Sequence, residues 1–289
     1  MRLVIRHQTR LAFATPVREH HCELRVAPAD DGRQARRALR IAVEPAARLR
    51  PYSDAFGNLV HAFDVLSPHR ELVTLVEAEV ETSDADPLEF VPVPPERELA
   101  WIAEALRAHP PLWDFVVHRS AATPAVEQVP TGIPTPYRDD DDPVLDCVRG
   151  AMAWVGRALV HVTEAQSADA TPLAQAIEAG AGTSQDFAHL LVSVVRSWGV
   201  PARIVAGYLD PGDGVLDERA THTWAEVLVP GGGWIGFDAV HERVADARYV
   251  RVATGRDHAD TAPRRGTFLG AERGNVVEVR SAIMRQYQQ

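Results

Sequence analysis

Cysteine is scarce in this sequence, and that scarcity excludes several classes of protein. The 289 residues include two cysteines, Cys22 and Cys147, and no Cys-x-x-Cys pair. Two cysteines in a chain of this length do not form a disulfide framework. Long apolar runs are also missing, since no stretch approaches the roughly 20 apolar residues that span a bilayer. The first residues lack the apolar segment of a signal peptide. We therefore expect a soluble, cytoplasmic protein.

Basic charge is the second shortage. Lysine and arginine together number 30 against 40 aspartates and glutamates, which gives a formal net charge of -10. An acidic surface disfavours nucleic acids and anionic membranes as partners. Hydrophobic residues make up 46% of the chain, which is enough to build a proper core. The length suggests two domains or one large domain.

The first 90 residues have the pattern of β-structure. Alternating runs such as CELRVAP and ALRIAVEP end in proline, and Gly57-Asn58 separates two strand-like runs as a hairpin turn would. This pattern predicts an antiparallel, sandwich-like β domain over residues 1–90. A helical and proline-rich linker region is predicted over residues 91–160.

The remaining segment, 161–289, combines helices with strands and is predicted to be the core. From Ser184 onward, apolar residues recur at the spacing of a helix with one buried face, namely Phe187, Leu190, Leu191, Val194, Val195 and Trp198. Gly199 and Pro201 are expected to end that helix. Strand-like segments follow to the C-terminus. Helices followed by antiparallel strands predict an α+β core, with helices packed on an antiparallel sheet.

Three side chains of this core have the chemistry of a nucleophilic site. Ser184 stands at the start of the long helix, His222 begins one strand, and Asp238 ends the next strand. A hairpin would bring the last two together, and an imidazole held by a carboxylate is the base half of a triad. A helix N-terminus offers a nucleophile its dipole and offers an oxyanion its free N–H groups. Taken alone, Ser184 could instead be an ordinary N-cap.

The motifs GTSQDFAH, THTWAEV and GWIGFDAV, with DAFGNLVH near the start and GRDHADTAPRRGTFLG near the end, resemble those of the bacterial transglutaminase-like family. That family has an N-terminal β domain and a core similar to papain-like cysteine peptidases. The resemblance implies acyl transfer or hydrolysis at a peptide or protein amide, with His222 and Asp238 in the catalytic triad and no cofactor or metal. Gln185, Asp186 and Trp224 match motif positions, and a role in substrate or oxyanion binding is predicted for them.

The sequence departs from the family at the nucleophile, because Ser184 occupies the position of the family's catalytic cysteine. Cys22 and Cys147 lie in unrelated segments and do not replace it. A thiol can rest as a thiolate beside an imidazolium and a serine hydroxyl cannot, so this form is expected to be impaired or inactive. Ala239 and Val240 also stand where the family usually has proline and threonine.

Three explanations for the serine stay open. It is a replacement introduced to inactivate an enzyme, a natural serine nucleophile, or the mark of a pseudoenzyme that serves as a peptide- or protein-binding module. The retained His222 and Asp238 weigh against the pseudoenzyme, whereas the altered neighbours of Asp238 favour natural divergence.

Other conspicuous residues receive structural interpretations. His20, His21 and Cys22 are adjacent in a predicted strand, so their side chains point to opposite faces and chelate a metal poorly. His189 on the long helix is expected to be structural, and Trp234 is expected to contribute to packing.

Overall fold

Two antiparallel sheets organise the part of the chain that the structure describes. The structure is a computed structural model, and it describes residues 1–129, 132, 134–163, 172–212, 221–270 and 275–285. The strands are β1 (Arg2–Leu24), β2 (Gln34–Glu44), β3 (Arg50–Ser53), β4 (Leu59–Val65), β5 (His69–Thr82), β6 (Val160–His161), β7 (Ala181–Gly182), β8 (Ala202–Leu209), β9 (Thr221–Val229), β10 (Gly233–Asp238), β11 (Arg243–Val244), β12 (Tyr249–Gly255), β13 (Arg264–Leu269) and β14 (Asn275–Arg285). The α-helices are α1 (Pro95–Ala108), α2 (Asp114–Val117), α3 (Val144–Ala158), α4 (Leu173–Ala179), α5 (Ser184–Ser197) and α6 (His258–Thr261).

The N-terminal sheet is built around β1, a strand of 23 residues. The first half of β1 pairs with β5 and β14, and the second half pairs with β4 and β13, all of them antiparallel. This change of partners, with a register shift between Ala12 and Val17, curls the sheet around its own apolar core. The predicted antiparallel β domain is confirmed, although its strands are longer than expected and form one curled sheet.

The two C-terminal strands, β13 and β14, do not belong to the sheet of the core. β13 and β14 both pair with β1, so the chain returns to the N-terminal sheet after β12. The sequence pattern places these strands with the core segment 161–289, and the structure corrects that placement. The reason is that β1 offers a pairing edge along its whole length, and pairing partners of this kind are not encoded in local periodicity.

A hydrogen-bonded asparagine ties the N-terminal domain to the core. The side chain of Asn58 donates to the carbonyl oxygen of Thr254 at 2.8 Å and accepts from the Thr254 N–H at 2.8 Å. The Asp54 carboxylate in turn accepts from the Asn58 amide at 3.1 Å. The motif DAFGNLVH therefore contributes a joint between the β3–β4 hairpin and the end of β12, rather than a chemical group.

The core consists of helices packed against a five-stranded sheet of order β11-β10-β9-β8-β12. Helix α5 lies against β8 and β9, and α3 packs on α5. The predicted stripe of α5 is buried, because Phe187 is 3% exposed and Leu190, Leu191, Val194 and Val195 are 0% exposed. This observed layering confirms the α+β fold class. No helix among the described residues has the length and apolar character needed to cross a membrane.

Candidate active site

Ser184 is the first residue of α5 and follows directly from β7. Gly180, at a φ of 65°, ends α4 and turns the chain into β7. Thr183 is the N-cap of α5, so the interpretation of Ser184 as an N-cap is wrong. Ser184 is half-buried and belongs to the turn whose N–H groups lack intrahelical partners. Its side chain is therefore partly accessible to solvent and lies at the positive end of the helix dipole.

Asp186 closes the first turn of α5. Its carboxylate oxygen Oδ2 accepts the Thr183 N–H at 2.8 Å and the Thr183 hydroxyl at 2.9 Å. Gly182 permits this closure, because a Cβ on it would lie 2.8 Å from the Asp186 Cβ. These contacts make Asp186 a capping residue that fixes the backbone around Ser184. Gln185 is half-buried beside it.

Substituting Asp186 with alanine is therefore expected to lower the free energy of unfolding by about 1 kcal/mol, the typical loss for a helix cap. Asp146, an exposed first-turn acid of α3, provides the matched control, and Asp146→Ala is expected to change stability much less. Urea denaturation of both variants measures the difference. Equal stability of the Asp186→Ala protein and the unsubstituted protein would contradict the capping role.

The hairpin of β9 and β10 brings His222 to Asp238, as the sequence predicts. The strands pair antiparallel from Gly233 opposite Val229 to Phe237 opposite Ala225. The Nε2 atom of His222 lies 2.8 Å from Oδ2 of Asp238. The His222 side chain is 9% exposed and the Asp238 side chain is 0% exposed. An imidazole whose Nε2–H donates to a carboxylate carries its lone pair on Nδ1.

Asp238 is the most heavily bonded group of the site. Its Oδ2 accepts from His222, from Nδ1 of His241 at 2.8 Å and from the Tyr249 hydroxyl at 2.7 Å. Its Oδ1 accepts the N–H groups of Val240 at 2.9 Å and His241 at 3.3 Å. Because the Val240 contact uses only the backbone N–H, the departures at Ala239 and Val240 leave it intact.

These contacts keep Asp238 ionised. Burial alone would raise the pKa of its carboxyl group, but the hydrogen bonds from His222, His241 and Tyr249 and the charge of His222 outweigh burial. The net effect holds the pKa of Asp238 far below its usual range. A buried carboxylate of this kind fixes the tautomer and orientation of the imidazole that it binds.

His161 connects the start of α5 with the His222–Asp238 pair. In the parallel pairing of β6 and β7 it lies opposite Gly182, two residues before Ser184. Its ring meets the ring of Phe187 edge-on, with 5.9 Å between centroids. Burial, and then the charges of His222 and His241, lower its pKa. His161 therefore lies beside the start of α5 and is close enough to His222 for the charge of that imidazole to affect its pKa.

The sequence reasoning missed His161, His241 and Tyr249. His241 follows Asp238 by three residues, and that spacing was an available signal because a turn after the strand brings the two together. Tyr249 begins β12, at the far edge of the sheet from β10, so its contact with Asp238 depends on tertiary structure. His161 precedes a segment, 164–171, that lies outside the described residues.

Trp224 packs beside the site. Its ring stacks near His222 with 6.4 Å between centroids, and it meets the Tyr249 ring edge-on at 5.3 Å. Trp224 is 2% exposed, so it supports the imidazole from below. A buried ring in this position limits the rotamers of His222.

The other motif residues have structural partners. His189 is buried, and its Nε2 accepts the N–H of His258 at 3.1 Å. Glu226 forms ion pairs with Arg203 and Arg251. Trp234 packs under the Arg203 guanidinium, which lies 4.1 Å from the ring centroid.

The two cysteines lie outside this site. Cys22 is buried in the curled sheet, and burial raises the pKa of its thiol to about 12. Cys147 is on α3, and burial raises its pKa as well. Neither thiol has the lowered pKa of a reactive cysteine.

Comparisons with known proteins show similarity to known families in two regions of the chain. Residues 3–81 match the bacterial transglutaminase-like N-terminal region, and residues 135–239 match the transglutaminase-like superfamily. An uncharacterized protein of Mycobacterium leprae is 29% identical over 273 residues, which cover 93% of this chain and 94% of that protein. An uncharacterized protein of Mycobacterium tuberculosis strain H37Rv is 29% identical over 304 residues, which cover 95% of this chain and 90% of that protein.

A solved structure resembles the whole chain. The crystal structure of a candidate cysteine protease from Cytophaga hutchinsonii matches with a TM-score of 0.72 and 20% sequence identity, covering 100% of this chain and 92% of that chain. At that identity the likeness shows a shared fold. The chain therefore carries a bacterial transglutaminase-like N-terminal region followed by a transglutaminase-like core, with the fold of that candidate cysteine protease.

Proposed function

We propose that the core performs acyl transfer or hydrolysis at a peptide or protein amide, with Ser184, His222 and Asp238 as the catalytic triad. The observation that carries the proposal is the bond from Nε2 of His222 to the buried carboxylate of Asp238. That bond leaves Nδ1 of His222 as the basic nitrogen. His161 pairs beside the start of α5 and its pKa is affected by the charge of His222, and this is the reason for assigning Ser184 to the same cleft.

In this proposal the hydroxyl oxygen of Ser184 attacks the amide carbonyl carbon, and Nδ1 of His222 takes the hydroxyl proton. The carbonyl oxygen becomes an oxyanion facing the free N–H groups at the start of α5. The C–N bond then breaks, and the leaving amine takes the proton from His222. Water or a second amine attacks the resulting ester, which gives hydrolysis or transfer respectively. Gln185 is proposed to border the substrate, whereas the buried Trp224 is proposed to act on the reaction through its packing against His222.

The serine makes this site slow. A serine hydroxyl is not ionised at rest by the helix dipole or by an imidazolium, so its proton must move during attack. In the Ser-His-Asp proteases Nε2 faces the serine and Nδ1 faces the aspartate. Here Nε2 of His222 faces Asp238. The nitrogen left for residue 184 is therefore Nδ1, which is the ring nitrogen closer to the Cβ atom. A thiol, with longer bonds and a larger atom, suits that approach better than a hydroxyl.

The test uses a glutamine-containing peptide mixture with and without a labelled primary amine, and the proteins Ser184→Cys and Ser184→Ala. Mass spectrometry distinguishes hydrolysis of amides from incorporation of the amine. The chain contains no lysine, so its own side chains do not compete as amine acceptors. Products formed by the cysteine protein and absent with the alanine protein support the proposal. Identical product profiles from the two proteins would reject it.

Non-catalytic peptide binding is the second candidate, and the serine at position 184 is the observation that favours it. A binding module keeps the cleft without the reaction, so peptide capture would be the same in Ser184→Ala and in the unsubstituted protein. Peptide binding measured by fluorescence anisotropy, combined with no product from either Ser184→Cys or the unsubstituted protein, would select this candidate.

A further inference from the structure

Two imidazole rings contact the same carboxylate oxygen of Asp238. Nε2 of His222 and Nδ1 of His241 both lie 2.8 Å from Asp238 Oδ2. These three atoms all lie within 4.8 Å of one another. Among the residues that the structure describes, this is the one cluster in which three such ligand atoms converge. The triad itself needs only His222, so the second imidazole is unexplained by the proposed chemistry.

Two imidazoles and one carboxylate are a donor set that suits zinc. Zinc binds histidine nitrogen at about 2.0–2.1 Å and carboxylate oxygen at about 2.0–2.2 Å, and its tetrahedral sites often use three protein ligands. Ligand atoms at those distances are about 3.3 Å apart in a tetrahedron. The present N···O distances of 2.8 Å would therefore open by about 0.5 Å.

The surroundings of the three ligands would let His241 move away from the carboxylate but hold Asp238 in place. The His241 side chain is 37% exposed and follows β10, so it can move outward. Asp238 is held by the Tyr249 hydroxyl and by two backbone N–H groups, and these contacts would orient the carboxylate as outer-shell partners do in metal sites. Of the three ligands, the partly exposed His241 is therefore the one that would move to admit the ion.

We propose that His222 Nε2, Asp238 Oδ2 and His241 Nδ1 form a site for a zinc ion. The ion takes the place of the two imidazole protons that now point at the carboxylate. At neutral pH each proton moves through solvent to the other nitrogen of its own ring, so no proton is lost overall. Asp238 is already ionised and binds without releasing a proton.

The zinc site also affects the acyl-transfer reaction, a consequence that rests on the proposed function. A proton on Nδ1 of His222 removes the base that would take a proton from residue 184. Zinc would therefore inhibit the acyl-transfer reaction by occupying its base. Neither the family resemblance nor the sequence spacing predicted a metal here, because His222 and His241 are brought together only by the hairpin and the turn after it.

Isothermal titration of the untagged protein with zinc tests the site independently of any activity. The expected result is one zinc per chain, with affinity reduced at least about tenfold in His241→Ala, since loss of even an outer-shell partner reduces affinity by about 10–100-fold. His21→Ala is the matched control, because His21 forms an exposed pair with Asp64 at 2.6 Å that lacks this third ligand. It is expected to bind zinc like the unsubstituted protein.

Cobalt supplies the second measurement. Cobalt bound at this site is expected to show the visible absorption of a tetrahedral complex, and His241→Ala is expected to lose it. His241→Asn, which keeps a polar side chain, separates loss of a ligand from loss of folding and is expected to behave like the alanine variant. Zinc binding that is unchanged in both His241 variants, or no stoichiometric binding by the unsubstituted protein, would overturn the proposal. Absence of amide chemistry alone would reject only the proposed function.

Discussion

The Ser184→Cys protein is expected to turn over amide substrates at least about 100-fold faster than the unsubstituted protein. A misplacement of about 1 Å at the reacting atom can reduce the rate about 100-fold, and we expect the shorter bonds of serine to misplace its oxygen in a site suited to sulfur. The thiol adds a second gain, because its pKa of about 8.5 falls to about 3.5–7.5 at helix N-termini or beside an imidazolium. Ser184 is half-buried, so the substituted side chain keeps some access to solvent.

The rate gain must depend on the imidazole. The double variant Ser184→Cys with His222→Ala is expected to lose most of the gain, because the thiol then lacks its base. The matched control pairs Ser184→Cys with His118→Ala, a histidine whose partner is Asp257 rather than Asp238. Steady-state rates on the same amide peptide compare these variants with the unsubstituted protein and with Ser184→Ala. A Ser184→Cys protein no faster than Ser184→Ala would show that residue 184 is not the nucleophile.

The second large effect is loss of stability in mild acid. Burial lowers the pKa of His7 to about 4 and of His189 to about 3, and burial together with the neighbouring His69 lowers the pKa of His20 to about 4. All three side chains are at most 2% exposed. In the unfolded chain these groups titrate near 6.5, so between about pH 6.5 and pH 4 the unfolded state binds protons that the folded state does not.

Stability contributed by the neutral histidines is therefore complete above about pH 6.5 and declines as the pH falls. At pH 5 the loss is about 2 kcal/mol for each of the three groups, or about 6 kcal/mol together. Ionised carboxylates such as Asp238 keep their contribution throughout this window, because their unfolded pKa lies near 4. The loss is a large part of the roughly 5–15 kcal/mol that stabilises a typical domain.

Urea denaturation at pH 7 and pH 5 measures this dependence. His189→Gln is expected to remove about one third of the decline, because glutamine does not titrate. His109→Gln, at an exposed histidine, is the control and is expected to leave the decline unchanged. A free energy of unfolding that is the same at both pH values would contradict the neutral, buried state of these histidines.

Helix α5 and the β9–β10 hairpin could be predicted because their signals are local. The buried stripe from Phe187 to Val195 follows a helical period, and the turn between Val229 and Gly233 is rich in glycine. The pairing of His222 with Asp238 follows from that hairpin alone. These elements locate the candidate site without knowledge of the rest of the fold.

The remaining parts depend on contacts between distant segments. The pairing of β1 with β14 joins residues at opposite ends of the chain, and no periodicity within either strand specifies it. Tyr249 reaches Asp238 only because β12 belongs to the same five-stranded sheet. The capping role of Asp186 was overlooked because Ser184, rather than Thr183, was considered as the N-cap.

The pH dependence of thiol alkylation in Ser184→Cys tests most directly whether residue 184 faces the His222–Asp238 pair. Mass spectrometry follows iodoacetamide labelling of the peptide that carries residue 184, with a chelator present. The half-buried thiol of Cys147 has a raised pKa and serves as the internal reference, since Cys22 is buried. We predict that half-maximal labelling at residue 184 occurs well below the ordinary thiol pKa of about 8.5, and that His222→Ala shifts it upward toward that value. Identical labelling profiles with and without His222 would contradict the account.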